Sequence, residues 1–327
     1  MPTLKTKTLT NTNGCSLEVS NYGATIISLK VPNKHGESVN VVAGLSTPEA
    51  YTQVPYTKHG LYLGCTIGRY AGRISNSKES NLLKGTNLTF NDGVHLHGGK
   101  HGFDKKYWTF ETQKNSQTIT LSYISKHLEE GYPGNLNVSV TYILTEENEV
   151  IIEYTATTDR DTYVNLTNHS YFNLNGAGSI LDHHLQIASD SYLEVDSNLV
   201  PTGNNIPVLN SCYDRTQRSK IGSTNFKGYD DTFILNDQSE KASLYSTSSG
   251  ILMTIATNQP AMVVYTPKIF PELDFKDATV YKAYPAICFE NQHFPDAPNN
   301  DQFPSSILQP NDIYRNRSLF TFSIVNE

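Results

Sequence analysis

The chain has 327 residues, with 25 Lys and Arg against 32 Asp and Glu, and its net charge of -7 is spread without long runs; this excludes the basic footprint that a nucleic-acid backbone requires. Its four cysteines, Cys15, Cys65, Cys212 and Cys288, lie far apart, so no Cys-x-x-Cys pair indicates zinc or redox chemistry and buried free thiols are expected. No segment reaches membrane-spanning length, and Met1-Pro2-Thr3-Leu4-Lys5 lacks the apolar stretch of a secretory signal, so the expected location is the cytoplasm.

In chain order, the first segment with chemical content is Gly68-Arg69-Tyr70-Ala71-Gly72-Arg73-Ile74. It reads as a loop whose small residues permit close backbone contact. Arg69 and Arg73, four apart, either clamp oxygens and orient a carboxylate or form surface ion pairs. In Leu96-His97-Gly98-Gly99 the glycines let the backbone approach a ligand, and His95 and His97 on one strand would face the same way. That spacing admits a metal site, but no third ligand follows at a recognisable distance, which favours a hydrogen-bonding His97.

Period-two alternation then takes over. Ile119, Leu121 and Tyr123 alternate with polar neighbours, as do Leu136, Val138, Val140, Tyr142 and Leu144, and Val150, Ile152, Tyr154 and Ala156, the pattern of half-buried strands. Residues 165–174, Asn-Leu-Thr-Asn-His-Ser-Tyr-Phe-Asn-Leu, mix strand formers with more polarity than a purely structural strand needs. His169, with an unperturbed pKa of about 6.5, is either a proton donor to a substrate oxygen or a histidine satisfied by backbone. Gly228-Tyr229-Asp230-Asp231 places two carboxylates at a turn that leads into a strand at Thr232; they accept hydrogen bonds from hydroxyls or only start the strand.

Ile251, Met253 and Ile255, and later Phe320, Phe322 and Ile324, continue the alternation. Between them, Ile287-Cys288-Phe289-Glu290 ends an apolar run just before an amide-, Pro- and Asp-rich stretch reaching Asn311. A strand burying Ile287 and Phe289 would hold Glu290 at a rim, where partial burial raises a carboxyl pKa toward the range useful for proton abstraction. Cys288, in the same apolar context, is disfavoured as a nucleophile. Turn residues separate strands from end to end and 3.6-residue periodicity is scarce, so the expected fold is all-β, a large antiparallel β-sandwich with few short helices. No composition shift marks a second domain within residues 1–327. No nucleophile elbow, phosphate-binding loop or dinucleotide fingerprint is present. What remains is a His, Glu, Asp and Arg set with amides and aromatics, suited to a neutral hydroxyl-rich ligand such as a sugar.

Taken in order, the Gly68–Ile74, Leu96–Gly99, Asn168–Leu174, Gly228–Asp230 and Phe289–Gln292 strings resemble the aldose 1-epimerase family, the galactose mutarotases, in register across almost the whole chain. The resemblance implies a sandwich of the galactose mutarotase type with an open cleft, a cytosolic monosaccharide-converting enzyme and neither metal nor organic cofactor. By position it implies Glu290 as catalytic base and His169 as acid, with Arg73, His97 and Asp230 binding hydroxyls and Phe103 and Tyr171 adding apolar contact. The chain departs from the family pattern at Gly72, where many members carry Asn, and at Val263, where many carry Gln. Each departure removes a polar contact worth about 0.5 to 1.5 kcal/mol.

With one base and one acid, unperturbed values of about 4.3 for Glu and 6.5 for His bracket a bell-shaped pH profile. Two neighbouring functions stay open on these residues: a non-catalytic carbohydrate-binding protein, which would not need both Glu290 and His169, and a hexose-phosphate 1-epimerase, which would call for a stronger basic cluster. A glycoside hydrolase using Asp230 and Glu290 is a third, since two carboxylates can flank a glycosidic bond, its test being release of a reducing sugar from an aryl glycoside.

Overall fold

Five alternating apolar side chains of the Leu136–Leu144 strand fall on one face, and all five are buried. The strand pairs antiparallel with Glu149–Thr158 in a register that sets Val140 opposite Tyr154. A slip of one residue would turn one strand's apolar set to solvent while the other stayed on the core, so the pattern excludes that pairing. The structure is a computed structural model and describes residues 3–76, 83–112, 115–223 and 226–325.

These two strands sit within a nine-stranded sheet that also holds Thr118–Ser125, Ile251–Thr257 and the long C-terminal strand Tyr314–Ile324. Opposite lies a six-stranded sheet in the order Tyr171–Phe172, Ile287–Gln292, Ala261–Tyr265, Asp230–Ile234, Ser191–Val195 and Pro201–Pro207. Both sheets are antiparallel, and their inner faces share one apolar cluster with the four-stranded N-terminal sheet. Phe172 of the smaller sheet stacks on Phe320 of the larger with ring centroids 5.4 Å apart. Asn291 Nδ2 donates to Ser318 Oγ across 2.9 Å, and Asn316 Nδ2 returns a 2.9 Å bond to the Asn291 carbonyl. The strand carrying Glu290 is therefore bonded to the sheet behind it as well as to its neighbours. The expected all-β sandwich is what the chain forms. Among the described residues the only α-helix is the single turn Val54–Thr57, with a few short 3-10 turns besides. No helix of the described residues is long and apolar enough to cross a membrane.

Three local expectations need correction. Residues 165–174 do not form one strand: Thr167–Asn168 pairs with Thr66–Ile67, and Tyr171–Phe172 pairs with the Glu290 strand. The chain changes sheets at His169 and Ser170, and the extra polarity services that crossing. Asn168 donates to the Gly64 carbonyl while its Oδ1 accepts from Ser170, and Asn165 bonds to Ala71 and His293. The strand after Gly228 begins at Asp230 rather than Thr232, because Asp230 and Asp231 already pair with Tyr265 and Val264. Glu290 does not end its strand: Asn291 and Gln292 continue it, opposite Met262 and Ala261.

Candidate active site

The outer face of the six-stranded sheet forms the floor of an open cleft of about 220 Å³. Its composition follows from strand alternation and register. Phe233, Val264 and Phe289 point into the core, so the intervening positions point outward. Asp230 lies opposite Tyr265, which lies opposite Cys288; Thr232 lies opposite Val263, which lies opposite Glu290. The floor thus presents Asp230, Val263, Tyr265 and Glu290 together.

Two other segments supply the walls. The sheet crossing carries His169, which is held by its amide to the Cys65 carbonyl and by its own carbonyl to the Gly64 amide, each at 2.9 Å. The short hairpin of Arg73–Ser75 with Val94–Leu96 carries Arg73 and, just past its second strand, His97. His97 has a left-handed backbone, φ 50°, which breaks the strand's alternation. His95 and His97 accordingly do not face the same way: His95 is buried with Nδ1 2.9 Å from the Thr89 carbonyl, whereas His97 lines the cleft.

At the base of the cleft, His169 Nε2 lies 3.5 Å from Glu290 Oε1, and the two side chains are only 5% and 3% exposed. Neither His169 Nδ1 nor Glu290 Oε2 has a hydrogen-bond partner among the described residues. Burial, reinforced by the Asp230 charge and partly offset by Arg73, pushes the Glu290 carboxyl up to about 8. Burial lowers His169 to about 4. Burial keeps His97 well below the ordinary histidine range, with the neighbouring His169 (when protonated), Arg73 and Lys105 acting in the same direction. Arg73 Nη2 stands 3.8 Å from Asp230 Oδ2, a partly buried ion pair lining the cleft. Burial raises the Asp230 carboxyl and Arg73 opposes that rise.

The five residues named for the site, Glu290, His169, Arg73, His97 and Asp230, converge on this cleft. Tyr171 joins them, its ring stacked on His169 at 5.0 Å. Others named from sequence do not. Arg69 is 2% exposed and gives its guanidinium to Ser125 Oγ and to the carbonyls of Ser125, Lys126, Pro133 and Gly134; it braces loops. Phe103 packs edge-on against Trp108 in the core. Gly98 approaches backbone rather than ligand: with φ +81°, a Cβ there would lie 1.9 Å from the Gly68 carbonyl oxygen.

Gly72 and Val263 both line the cleft. So does Tyr62, whose ring meets His97 at 4.8 Å and His169 at 5.8 Å. It went unrecognised because it comes from an aperiodic segment where an aromatic residue reads as core.

His97, His169 and Glu290 each offer a ligand atom within 4.8 Å of the others, a grouping that can hold a metal by position. The Gly72 amide, however, donates to His97 Nδ1 across 3.2 Å. That nitrogen is then the acceptor and the neutral ring's proton sits on Nε2, whereas a ligating histidine donates its remote N–H away from the metal. The His97 edge facing the cleft is therefore a hydrogen-bond donor, suited to an oxygen. The arrangement can deliver and accept one proton at its base while its walls bind hydroxyl groups.

The family model described as aldose 1-epimerase matches residues 5–321. The chain is 37% identical over 320 residues to the galactose mutarotase of Rattus norvegicus, covering 94% of this chain and 91% of that protein. It is 31% identical over 332 residues to the aldose 1-epimerase of Escherichia coli K12, covering 96% and 94%. The crystal structure of the GalM/aldose epimerase homologue from C. elegans superposes with a TM-score of 0.90 at 30% identity, over 99% of this chain and all of that one.

Proposed function

The chain belongs to the aldose 1-epimerase family and interconverts the α and β anomers of aldoses, and from that premise we propose that Glu290 and His169 carry the two proton transfers. Mutarotation removes the proton from the anomeric hydroxyl and protonates the ring oxygen as the C1–O5 bond breaks. The bonding pair of C1–O5 goes to O5, and a carbonyl forms at C1. Glu290 takes the O1 proton and His169 Nε2 supplies the one at O5. Rotation about C1–C2 presents the other carbonyl face; O5 then returns its proton to His169 as it attacks C1, and Glu290 re-protonates O1. No net proton is consumed.

The observation that carries this reading is the 3.5 Å approach of two almost fully buried, oppositely shifted groups at the base of one cleft. The pair needs a single shared proton. Burial favours the neutral form, with that proton on Glu290, and moving it to His169 gives the ion-paired form without exchange with solvent. His97 Nε2–H, Arg73 and Asp230 bind the remaining hydroxyls and hold the ring against the pair. We further read residues 1–327 as one aldose 1-epimerase domain acting on free galactose and related monosaccharides. A cytoplasmic location suits four cysteines that are all free thiols.

Polarimetry on freshly dissolved α-D-galactose tests the assignment. Wild type accelerates the optical change over buffer, and Glu290→Gln loses about 100- to 10,000-fold in kcat while still binding the sugar. Near-normal turnover by Glu290→Gln reassigns the base. Faster turnover of galactose 6-phosphate than of galactose would favour the phosphate-sugar alternative.

A further inference from the structure

We propose that Val263 is a positioning residue for this reaction: its apolar side chain denies the Glu290 carboxyl any fixed hydrogen-bond donor on the neighbouring strand, leaving the carboxyl's free oxygen for the anomeric hydroxyl. The inference rests on Glu290 being the base. Val263 and Glu290 are direct antiparallel partners, and residues so paired point to the same sheet face with Cβ atoms about 5 Å apart. On its other side Val263 pairs with Thr232, which also lines the cleft. Val263 therefore occupies the place from which a polar side chain would reach the carboxylate.

Its consequence is visible at Glu290. Oε2 is buried and unpartnered, and Oε1 has only His169 Nε2, at a distance too long for a good hydrogen bond. The titratable groups around the carboxyl include His169 and Tyr171 beside it, Tyr62 from the cleft wall, His97 and Arg73 from the facing hairpin, Tyr265 from the adjoining strand, Asp230 from the strand beyond it, and Cys288 on its own strand. Arg73 is engaged with Asp230 at 3.8 Å. A carboxylate without donors is a stronger base than a hydrogen-bonded one, because a fixed donor stabilises the charged form and lowers its proton affinity. The substrate hydroxyl is then the first donor the group meets.

Val263→Thr keeps the side-chain volume and a strand-favouring branch while adding a donor; Val263→Asn offers a donor of different reach, and Val263→Ile is the apolar control. For both polar variants we expect the alkaline limb of kcat/KM to move down by about one pH unit. We also expect kcat to fall about three- to tenfold, with KM for galactose within about twofold of wild type; Val263→Ile should keep the limb in place. An unmoved limb and unchanged kcat in both polar variants, or an equal displacement in Val263→Ile, overturns the proposal. Those outcomes with an inactive Glu290→Gln would leave Glu290 as the base, whereas an active Glu290→Gln would remove the base itself.

Discussion

Gly72 and His97 hold each other by two hydrogen bonds: the Gly72 amide donates to His97 Nδ1 across 3.2 Å, and the His97 amide donates to the Gly72 carbonyl across 3.0 Å. Gly72 has φ +80°, and a Cβ there would stand 3.0 Å from Pro295 Cβ. The hairpin that presents Arg73 thus also selects the His97 tautomer.

From this geometry, His97→Gln, which can place an amide donor near the lost Nε2–H, is expected to retain more kcat/KM than His97→Ala. The gap should be up to about tenfold, the equivalent of one hydrogen bond to a substrate hydroxyl of about 0.5 to 1.5 kcal/mol. Steady-state kinetics on galactose will measure it, and equal losses in the two variants would remove His97 as a donor.

Burial reverses the order of the two catalytic pKa values expected from free side chains, Glu290 rising to about 8 and His169 falling to about 4. The singly protonated pair then spans a wider interval than unperturbed groups allow. The profile of kcat/KM should be flat near neutrality, fall below about 4 as the pair gains a second proton, and fall above about 8 as it loses its only one. Limbs near 4.3 and 6.5 would show that the free protein does not impose these shifts.

The same shifts predict a stability cost. Between the ordinary glutamate value of 4.5 and about 8 the native state binds more protons through Glu290 than the unfolded state, so this group's contribution to stability declines as pH rises through that window. His169 acts oppositely between about 4 and 6.5, where the unfolded state binds more protons and stability rises with pH. Glu290→Gln removes only the first effect. Its unfolding free energy relative to wild type should match near pH 4 and climb to an advantage of roughly a few kcal/mol near pH 8, read as a widening difference in Tm. A pH-independent difference in Tm would contradict a buried Glu290.

Arg69 gives a contrasting expectation. Arg69→Met would leave the carbonyls of Ser125, Lys126, Pro133 and Gly134 without this donor. A loss of about 3 to 5 kcal/mol in denaturant unfolding follows from stranding several buried acceptors. KM for galactose in the folded fraction should stay near wild type, whereas Arg73→Met should raise KM with little loss of stability.

Much of this was legible in the chain itself. The alternation at Leu136–Leu144 and Glu149–Thr158 specified strands, faces and register, because side-chain direction in a strand is a local property with a period of two. The five strings spread from Gly68 to Gln292 likewise named the residues that meet in the cleft. Local pattern did not distinguish Arg69 from Arg73, or His95 from His97, since each pair shares a segment and a residue type. The separation came from the left-handed turn at His97 and from the loops that close over Arg69.

Nor could sequence order the pKa values of Glu290 and His169. They are set by which distant segments exclude water from two side chains 121 positions apart and by the Asp230 and Arg73 charges nearby. Residue types and strand faces were determined by the sequence alone; the dryness of the acid-base pair was decided only by the tertiary structure, because desolvation depends on everything packed around a group and not on its neighbours in the chain.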